Sequence, residues 1–212
     1  QKVREAAARM SCQNNLKQIG IALHNYHSAL NTFPVGFLYP RPNQAAPGIP
    51  TLHYRWSVLA QLTPYMEQTN VYNALNMNWP IAAGSSGAFG VGPWTFFPAN
   101  QTCRQAMVSF FLCPSDGASA PDPTSGPSSY VFCSGDGLSN TTGIPGDATG
   151  ASGAFILGRP QSAATLIDGT SNTVAASEQL MGSGPGDQAS AFPAPPDPRR
   201  AIARTAGATL SD

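Results

Sequence analysis

The stretch "MSCQNNLKQIGIALHNYH", residues 10–27, decides the fold class because its apolar side chains follow the repeat of an α-helix. Continued to residue 30, the apolar series is Cys12, Leu16, Ile19, Leu23, Tyr26 and Leu30, at steps of four, three, four, three and four. Residues at these steps form one stripe along a helix of about 3.6 residues per turn. The pattern therefore predicts a long amphipathic helix over residues 1–31, with these side chains as the packing seam.

Short apolar runs follow the helix, separated by segments rich in Gly, Ser and Pro. The runs at 107–113, 129–133, 153–157 and 172–178 have strand length and are rich in Val, Phe, Tyr and Ile. They predict a small antiparallel β-sheet joined by long loops. One long helix followed by strands is typical of the α+β class.

Between the helix and these runs, residues 53–75 restore an apolar periodicity that predicts helix in pieces. Pro64 lacks a backbone N–H, so we expect Thr63 to act as N-cap of a second helical turn. The chain thus divides into an N-terminal helix (1–31), an α+β globular head (32–180) and a Gly/Pro-rich C-terminal tail (181–212).

The composition gives no sign of nucleic acid or an acidic membrane surface as partner, because Lys plus Arg and Asp plus Glu are equal at 11 each. Only 10% of the 212 residues are charged, well below the usual fraction of roughly a quarter. Such a surface suits a subunit of an assembly or a coat.

The sequence as given contains no apolar run of about 18 residues and hence no predicted membrane span. It opens directly as helix, with no initiator Met and no signal-peptide core. We therefore expect the parent protein to carry a further N-terminal segment.

The cysteines Cys12, Cys103, Cys113 and Cys133 form no C-x-x-C pair, which argues against zinc and thioredoxin-like sites. In an exported chain, four cysteines allow two disulfides in three connectivities. The residues alone leave that choice open.

Two sets of side chains offer metal ligands. His24 and His27 are three residues apart on the predicted helix, and only His53 or distant carboxylates could complete a site. Packing beside the seam is the stronger interpretation for both. Asp116, Asp136, Asp147 and Asp168 lie in predicted loops and are candidate Ca²⁺ ligands, although none matches a D-x-[DN]-x-[DN]-G loop and Asp-Gly is first a turn signal.

No combination of residues predicts an enzyme. The chain has no G-x-S-x-G elbow, and with only three histidines no nucleophile, base and acid can be named together. We therefore predict a non-catalytic protein.

Five blocks resemble one known family, the bacterial prepilin-type proteins abundant in planctomycetes, classed as domain-of-unknown-function family 1559. The blocks are "VREAAARMSCQNNLKQIGIALHNYH" (3–27), "FPVG" (33–36), "WSVLAQLTPYMEQTNVYNAL" (56–75), "FLCPSDG" (111–117) and "DGTSNTVAASE" (168–178). The sequence lacks the family's apolar half-helix with its cleavage motif and its C-terminal His-x9-Asp-Gly block.

The resemblance implies a type IV pilin or type II secretion pseudopilin-like subunit without cofactors. Such a subunit would be exported, held in the inner membrane by the further N-terminal segment, and then assembled with copies of itself or related subunits in a periplasmic or cell-surface filament. The alternative is an extracellular Ca²⁺- or glycan-binding module that uses the loops at 114–128 and 134–152.

The family blocks also indicate how the cysteines pair in disulfides. They contain Cys12 and Cys113, and Cys12 lies on the seam that would face the sheet. We therefore predict a Cys12–Cys113 disulfide, with Cys103 and Cys133 as the second pair.

Overall fold

The structure, a computed structural model, describes residues 2–38, 56–79, 82–83, 95–116, 126–135, 153–156 and 158–181. Its helices are α1 (Lys2–Leu30), α2 (Val58–Leu62), α3 (Thr69–Ala74) and α4 (Gln101–Arg104), with 3-10 turns at Thr63–Tyr65, Pro98–Asn100, Ser109–Phe111 and Ala163–Thr165. The strands are β1 (Phe37–Leu38), β2 (Trp56–Ser57), β3 (Ala82–Ala83), β4 (Thr95–Phe96), β5 (Tyr130–Phe132) and β6 (Ala176–Glu178).

The described strands form antiparallel pairs, β1 with β2, β3 with β4, and β5 with β6. In the last pair Tyr130 lies opposite Glu178, and Phe132 lies opposite Ala176. One long N-terminal helix with small antiparallel pairs confirms the predicted α+β class. The limits of the three predicted regions stay predictions.

Helix α1 ends where the sequence predicts. Asn31 adopts a left-handed backbone conformation with φ of 56°, which asparagine tolerates better than most residues. Its N–H donates to the carbonyl of His27 at 2.7 Å and closes the last turn. The chain then reverses, so that Phe33 returns against His27 with ring centroids 4.7 Å apart.

The core lies between α1 and the elements that follow it. Ile19 and Leu62 are fully buried, and Tyr26 of α1 meets Tyr65 edge-on with centroids 5.5 Å apart. The buried cluster is completed by Cys12, Ala22, Leu23, Phe33, Val58, Leu59, Met66, Cys113, Tyr130, Ala154 and Phe155. Burial of this apolar surface is the main favourable term that holds α1 on the head.

The "FPVG" segment, residues 33–36, connects α1 to this core through hydrogen bonds. The buried Gln61 side chain donates to the Val35 carbonyl at 2.9 Å and accepts from the Val35 N–H at 3.3 Å. Gly36 donates to the Ile156 carbonyl at 2.9 Å, and a Cβ at this position would clash with the Phe155 carbonyl oxygen. Close backbone approach therefore requires glycine here.

Two of the predicted strands are wrong. The run at 107–113 forms the 3-10 turn Ser109–Phe111, and its end is held by Cys113 N–H donating to Ser129 Oγ at 3.1 Å. Among its described residues, the run at 153–157 contributes to β-pairing only through an isolated bridge between Ile156 and Arg159. Apolar content reports burial, whereas a strand also needs a continuous partner, and the sequence does not show that partner.

The other two predicted runs supply β5 and β6, which are shorter than the runs themselves. The sequence predicts Thr63 as an N-cap, and this prediction is wrong. Leu62 occupies the N-cap position, and Thr63 is the first residue of the 3-10 turn. Its hydroxyl donates to the Ala60 carbonyl at 2.7 Å, which explains why it does not cap the following turn.

Candidate functional site at the disulfide-anchored helix

The packing seam of α1 is confirmed over most of its length. Cys12, Ile19 and Leu23 are buried, and Leu16 and Tyr26 are half-buried against the core. Ala22 is also buried but is not part of the predicted seam, because a small side chain contributes little to an apolar pattern. The assignment of Leu30 to the buried seam is wrong, because its side chain is 53% exposed. Leu30 is the last residue of α1, and the chain turns away immediately after it.

The N-terminal third of α1 has a different environment. In this exposed segment, residues 2–11, every side chain is exposed except Ala8, which is half-buried. Val3 is 83% exposed and Met10 is 63% exposed. At 1.5 Å per residue these ten residues extend about 15 Å. The segment thus presents apolar side chains that the head does not cover.

A disulfide lies where the exposed segment meets the packed part of the helix. Cys12, the first buried residue of α1, is bonded to Cys113 with a Cα–Cα distance of 4.9 Å and a sequence separation of 101. The predicted pairing is confirmed. We refer to this bond as the disulfide anchor, because it ties α1 covalently to the segment before β5.

Hydrogen bonds reinforce the anchor on both sides. Asn15, one turn after Cys12, donates its amide to the Leu112 carbonyl at 3.0 Å. The Tyr130 hydroxyl donates to the Cys12 carbonyl at 3.4 Å. Burial raises the pKa of the Tyr130 phenol, the neighbouring Asn15 side chain lowers it in part, and Glu178 raises it further.

A carboxylate also lies at the anchor. Glu178 Oε2 is 3.8 Å from Cys113 Sγ, and the Ser115 hydroxyl is 3.6 Å from Cys12 Sγ. Within the described part of the chain, Cys12, Cys113 and Glu178 are the one group of three side chains with metal-ligand atoms close together. Both sulfurs are committed to the disulfide, so the group as it stands is not a metal site.

The predicted second disulfide is wrong, because Cys103 and Cys133 are free thiols. The Cys103 thiol lies in α4 and donates to the Asn100 carbonyl at 3.1 Å. Cys133 follows β5, where its N–H donates to the Ala175 carbonyl at 3.1 Å. The two residues therefore belong to different parts of the head. Burial raises the pKa of the Cys103 thiol, an effect that its hydrogen bonds and Arg104 oppose.

The helix histidines have separate environments. His24 is exposed, whereas His27 packs on Phe33 and accepts a hydrogen bond from the Ala163 N–H at 3.3 Å. This arrangement agrees with a packing role beside the seam for His27. The third histidine, His53, lies outside the described residues.

The candidate Ca²⁺ ligands are only partly described. Asp116 is buried, and its Oδ2 accepts from the Met181 N–H at 2.7 Å. Asp168 is exposed and opens a turn in which Gly169 has φ of 79° and Asn172 donates to the Asp168 carbonyl at 3.0 Å. Asp136 and Asp147 lie outside the described residues, so the Ca²⁺ hypothesis stays a prediction.

Among the helices that the structure describes, none combines the length and the apolar character needed to cross a membrane.

An α+β head with a disulfide-anchored N-terminal helix defines the structural class of this chain. A model of the family described as "Protein of unknown function (DUF1559)" matches residues 1–210, and the chain belongs to that family. This match confirms the membership of domain-of-unknown-function family 1559 that the sequence blocks predict. No curated protein and no solved structure matches the chain.

Glu178, Asn15 and Tyr130 complete the anchor, and none of the three is recognisable in the sequence as a site residue. Glu178 and Asn15 lie inside the family blocks, "DGTSNTVAASE" and the N-terminal block, and Tyr130 lies inside a predicted strand. Their relation to Cys12 and Cys113 depends on contacts between residues distant in sequence, which no local pattern reveals.

Proposed function

We propose that this chain is a non-catalytic, pilin- or pseudopilin-like structural subunit of a cell-surface or secretion-associated filament. The observation that carries the proposal is the exposed segment of α1 with the disulfide anchor at its base. A load applied to the exposed segment would reach the head through a covalent bond as well as through packing. That is a useful property for an element that joins a subunit to its neighbours.

The spacing of the exposed apolar side chains supports a contact between subunits. Val3, Ala7 and Met10 are all exposed and follow one another at steps of four and three, so they lie on one face of α1. Ile21, also 44% exposed, continues the same face further along the helix. A neighbouring helix would remove this apolar surface from water, which favours association.

In the proposed mechanism, α1 continues in the parent protein into an apolar helix that holds the exported subunit in the inner membrane. On assembly the apolar helices of several copies, or of related subunits, would bundle in the filament core with the heads outside. Support for this step comes from the resemblance of the sequence blocks to prepilin-type proteins. The low fraction of charged residues, 10%, suits such an assembly.

The direct experiment is to express the full-length gene with its native leader and to examine the processed protein by immuno-electron microscopy. We expect peptidase-processed subunits in filaments. Unprocessed protein, or processed protein dispersed through the envelope, would contradict the proposal.

A matched pair of variants tests the exposed face. Met10→Glu places a charge on the apolar face, and Gln13→Glu places the same charge on an exposed position of α1 about a quarter of a turn away from that face. We expect Met10→Glu to reduce the filament fraction at unchanged subunit abundance, and Gln13→Glu to leave it near the wild-type value. Equal loss in both variants would argue against a specific role of this face.

A further inference from the structure

Glu178 has a position at the disulfide anchor that neither the packing of the core nor the proposed filament role explains. It is the last residue of β6, its side chain is exposed, and its Oε2 lies 3.8 Å from Cys113 Sγ. A disulfide sulfur carries no hydrogen, so this contact is not a hydrogen bond. It places a carboxylate beside Cys113, which at 8% exposed is the more accessible of the two bonded cysteines, Cys12 being 1% exposed.

The chemistry of thiol–disulfide exchange shows what a carboxylate does at this position. A thiolate attacks one sulfur and forms a new S–S bond, while the old bond breaks and its electron pair leaves on the other sulfur as a thiolate. Attack on Cys113 brings the anionic nucleophile towards Glu178. Attack on Cys12 instead expels Cys113 as a thiolate next to Glu178. Both routes therefore place a second negative charge beside the carboxylate and are slowed.

The chain also contains internal nucleophiles for this exchange, the free thiols of Cys103 and Cys133. A protein with free thiols and one disulfide is exposed to rearrangement of its pairing. Burial raises the pKa of the Cys103 thiol, which lowers its thiolate fraction and limits one internal route. A charge at the disulfide itself would act against every anionic thiol, internal or external.

We infer that Glu178 protects the Cys12–Cys113 disulfide from exchange chiefly by repelling the anionic thiol that attacks Cys113, the more accessible of the two bonded cysteines. The inference goes beyond the proposed filament role, because it concerns the survival of the anchor in any assembly or in the isolated subunit.

The test measures how fast the disulfide opens in the folded, oxidised protein. Wild type, Glu178→Gln and Glu67→Gln are compared, all with Cys103→Ser and Cys133→Ser so that only external thiols react. Glu67 is an exposed matched control: it follows Tyr65, which packs on Tyr26, and Tyr26 lies fourteen residues or about 21 Å along α1 from Cys12.

Two thiols of different charge separate repulsion from structural loosening. 2-Mercaptoethanesulfonate attacks as a thiolate with an extra negative charge, whereas cysteamine attacks as a thiolate whose ammonium group offsets its charge. Both are used at equal thiolate concentration. The opened Cys12 and Cys113 are then alkylated and quantified by mass spectrometry.

We expect Glu178→Gln to raise the rate with mercaptoethanesulfonate by roughly three- to tenfold, to raise the cysteamine rate less, and Glu67→Gln to match wild type. Equal acceleration with both thiols would show that the substitution merely loosens the pairing of β5 and β6 and would overturn the inference. No acceleration would overturn it as well.

A measurement on the wild type alone does not depend on how the variant folds. Salt screens exposed charges, so the wild-type rate with mercaptoethanesulfonate should rise between low and high ionic strength, and more steeply than the cysteamine rate. A wild-type rate that does not change with salt would contradict the inference.

Discussion

At the scale of single residues, the Cys12–Cys113 disulfide is expected to make a large contribution to the free energy of unfolding. The Cys12–Cys113 bond closes a loop with a sequence separation of 101, and a loop of that length strongly restricts the unfolded chain. Cys103 and Cys133 close no loop, because both are free thiols. The two pairs of cysteines should therefore differ greatly in their effect on stability.

We predict that the double substitution Cys12→Ser and Cys113→Ser lowers the free energy of unfolding by about 2 to 5 kcal/mol. The double substitution Cys103→Ser and Cys133→Ser should change it far less. Urea unfolding followed by circular dichroism measures both differences. A similar loss in both double variants would contradict the assigned pairing.

Burial also makes two tyrosines sensitive to pH. The pKa of Tyr26 is raised by burial and further by Tyr65 and Tyr72, and burial likewise raises the pKa of Tyr130. A raised pKa means that the folded state favours the neutral phenol. The resulting stabilisation is complete below the unfolded-state value of about 10 and is lost as the pH rises through the folded-state pKa.

We therefore predict that the free energy of unfolding falls as the pH is raised above about 10. The measurement is a series of urea titrations with Cys103 and Cys133 replaced by Ser, to prevent thiol exchange at high pH. Tyr26→Phe together with Tyr130→Phe should flatten this dependence. A slope that is unchanged in the double variant would assign the effect to other groups.

At the scale of elements, α1 was predictable because its signal is local. Cys12, Ile19 and Leu23 repeat at helical steps, and burial follows that repeat. The strands were less predictable, since residues 107–113 and 129–133 are both mostly apolar but only the second run pairs with another strand. That partner, β6, lies more than forty residues further along the chain, and no local pattern encodes such a pairing.

The contrast between Ile19 and Leu30 tests the packing of α1. Ile19 is fully buried, whereas Leu30 is 53% exposed on the same sequence pattern. We predict that Ile19→Ala lowers the free energy of unfolding by about 2 to 5 kcal/mol, and that Leu30→Ala changes it by less than about 0.5 kcal/mol. Thermal and urea unfolding of both variants provide the measurement. Comparable losses would show that the seam extends to the end of the helix.

At the scale of the whole molecule, the order of elements was enough to predict the α+β class, and the five blocks were enough to predict the family. The residues alone left three disulfide connectivities open, and the blocks favoured the Cys12–Cys113 bond that the structure contains. The position of Glu178 beside Cys113 could not be predicted. It depends on the pairing of β5 with β6, which places side chains from distant parts of the chain together.

The measurement that tests the filament proposal most directly is photo-crosslinking in cells that express the full-length gene. A photoreactive amino acid replaces Met10 on the exposed apolar face, and in a separate strain it replaces Gln13, an exposed residue about a quarter of a turn away from that face, as the control position. We predict a ladder of crosslinked multimers from position 10 and little or none from position 13. Monomers alone from position 10, or equal ladders from both positions, would contradict the proposal that this face of α1 joins neighbouring subunits.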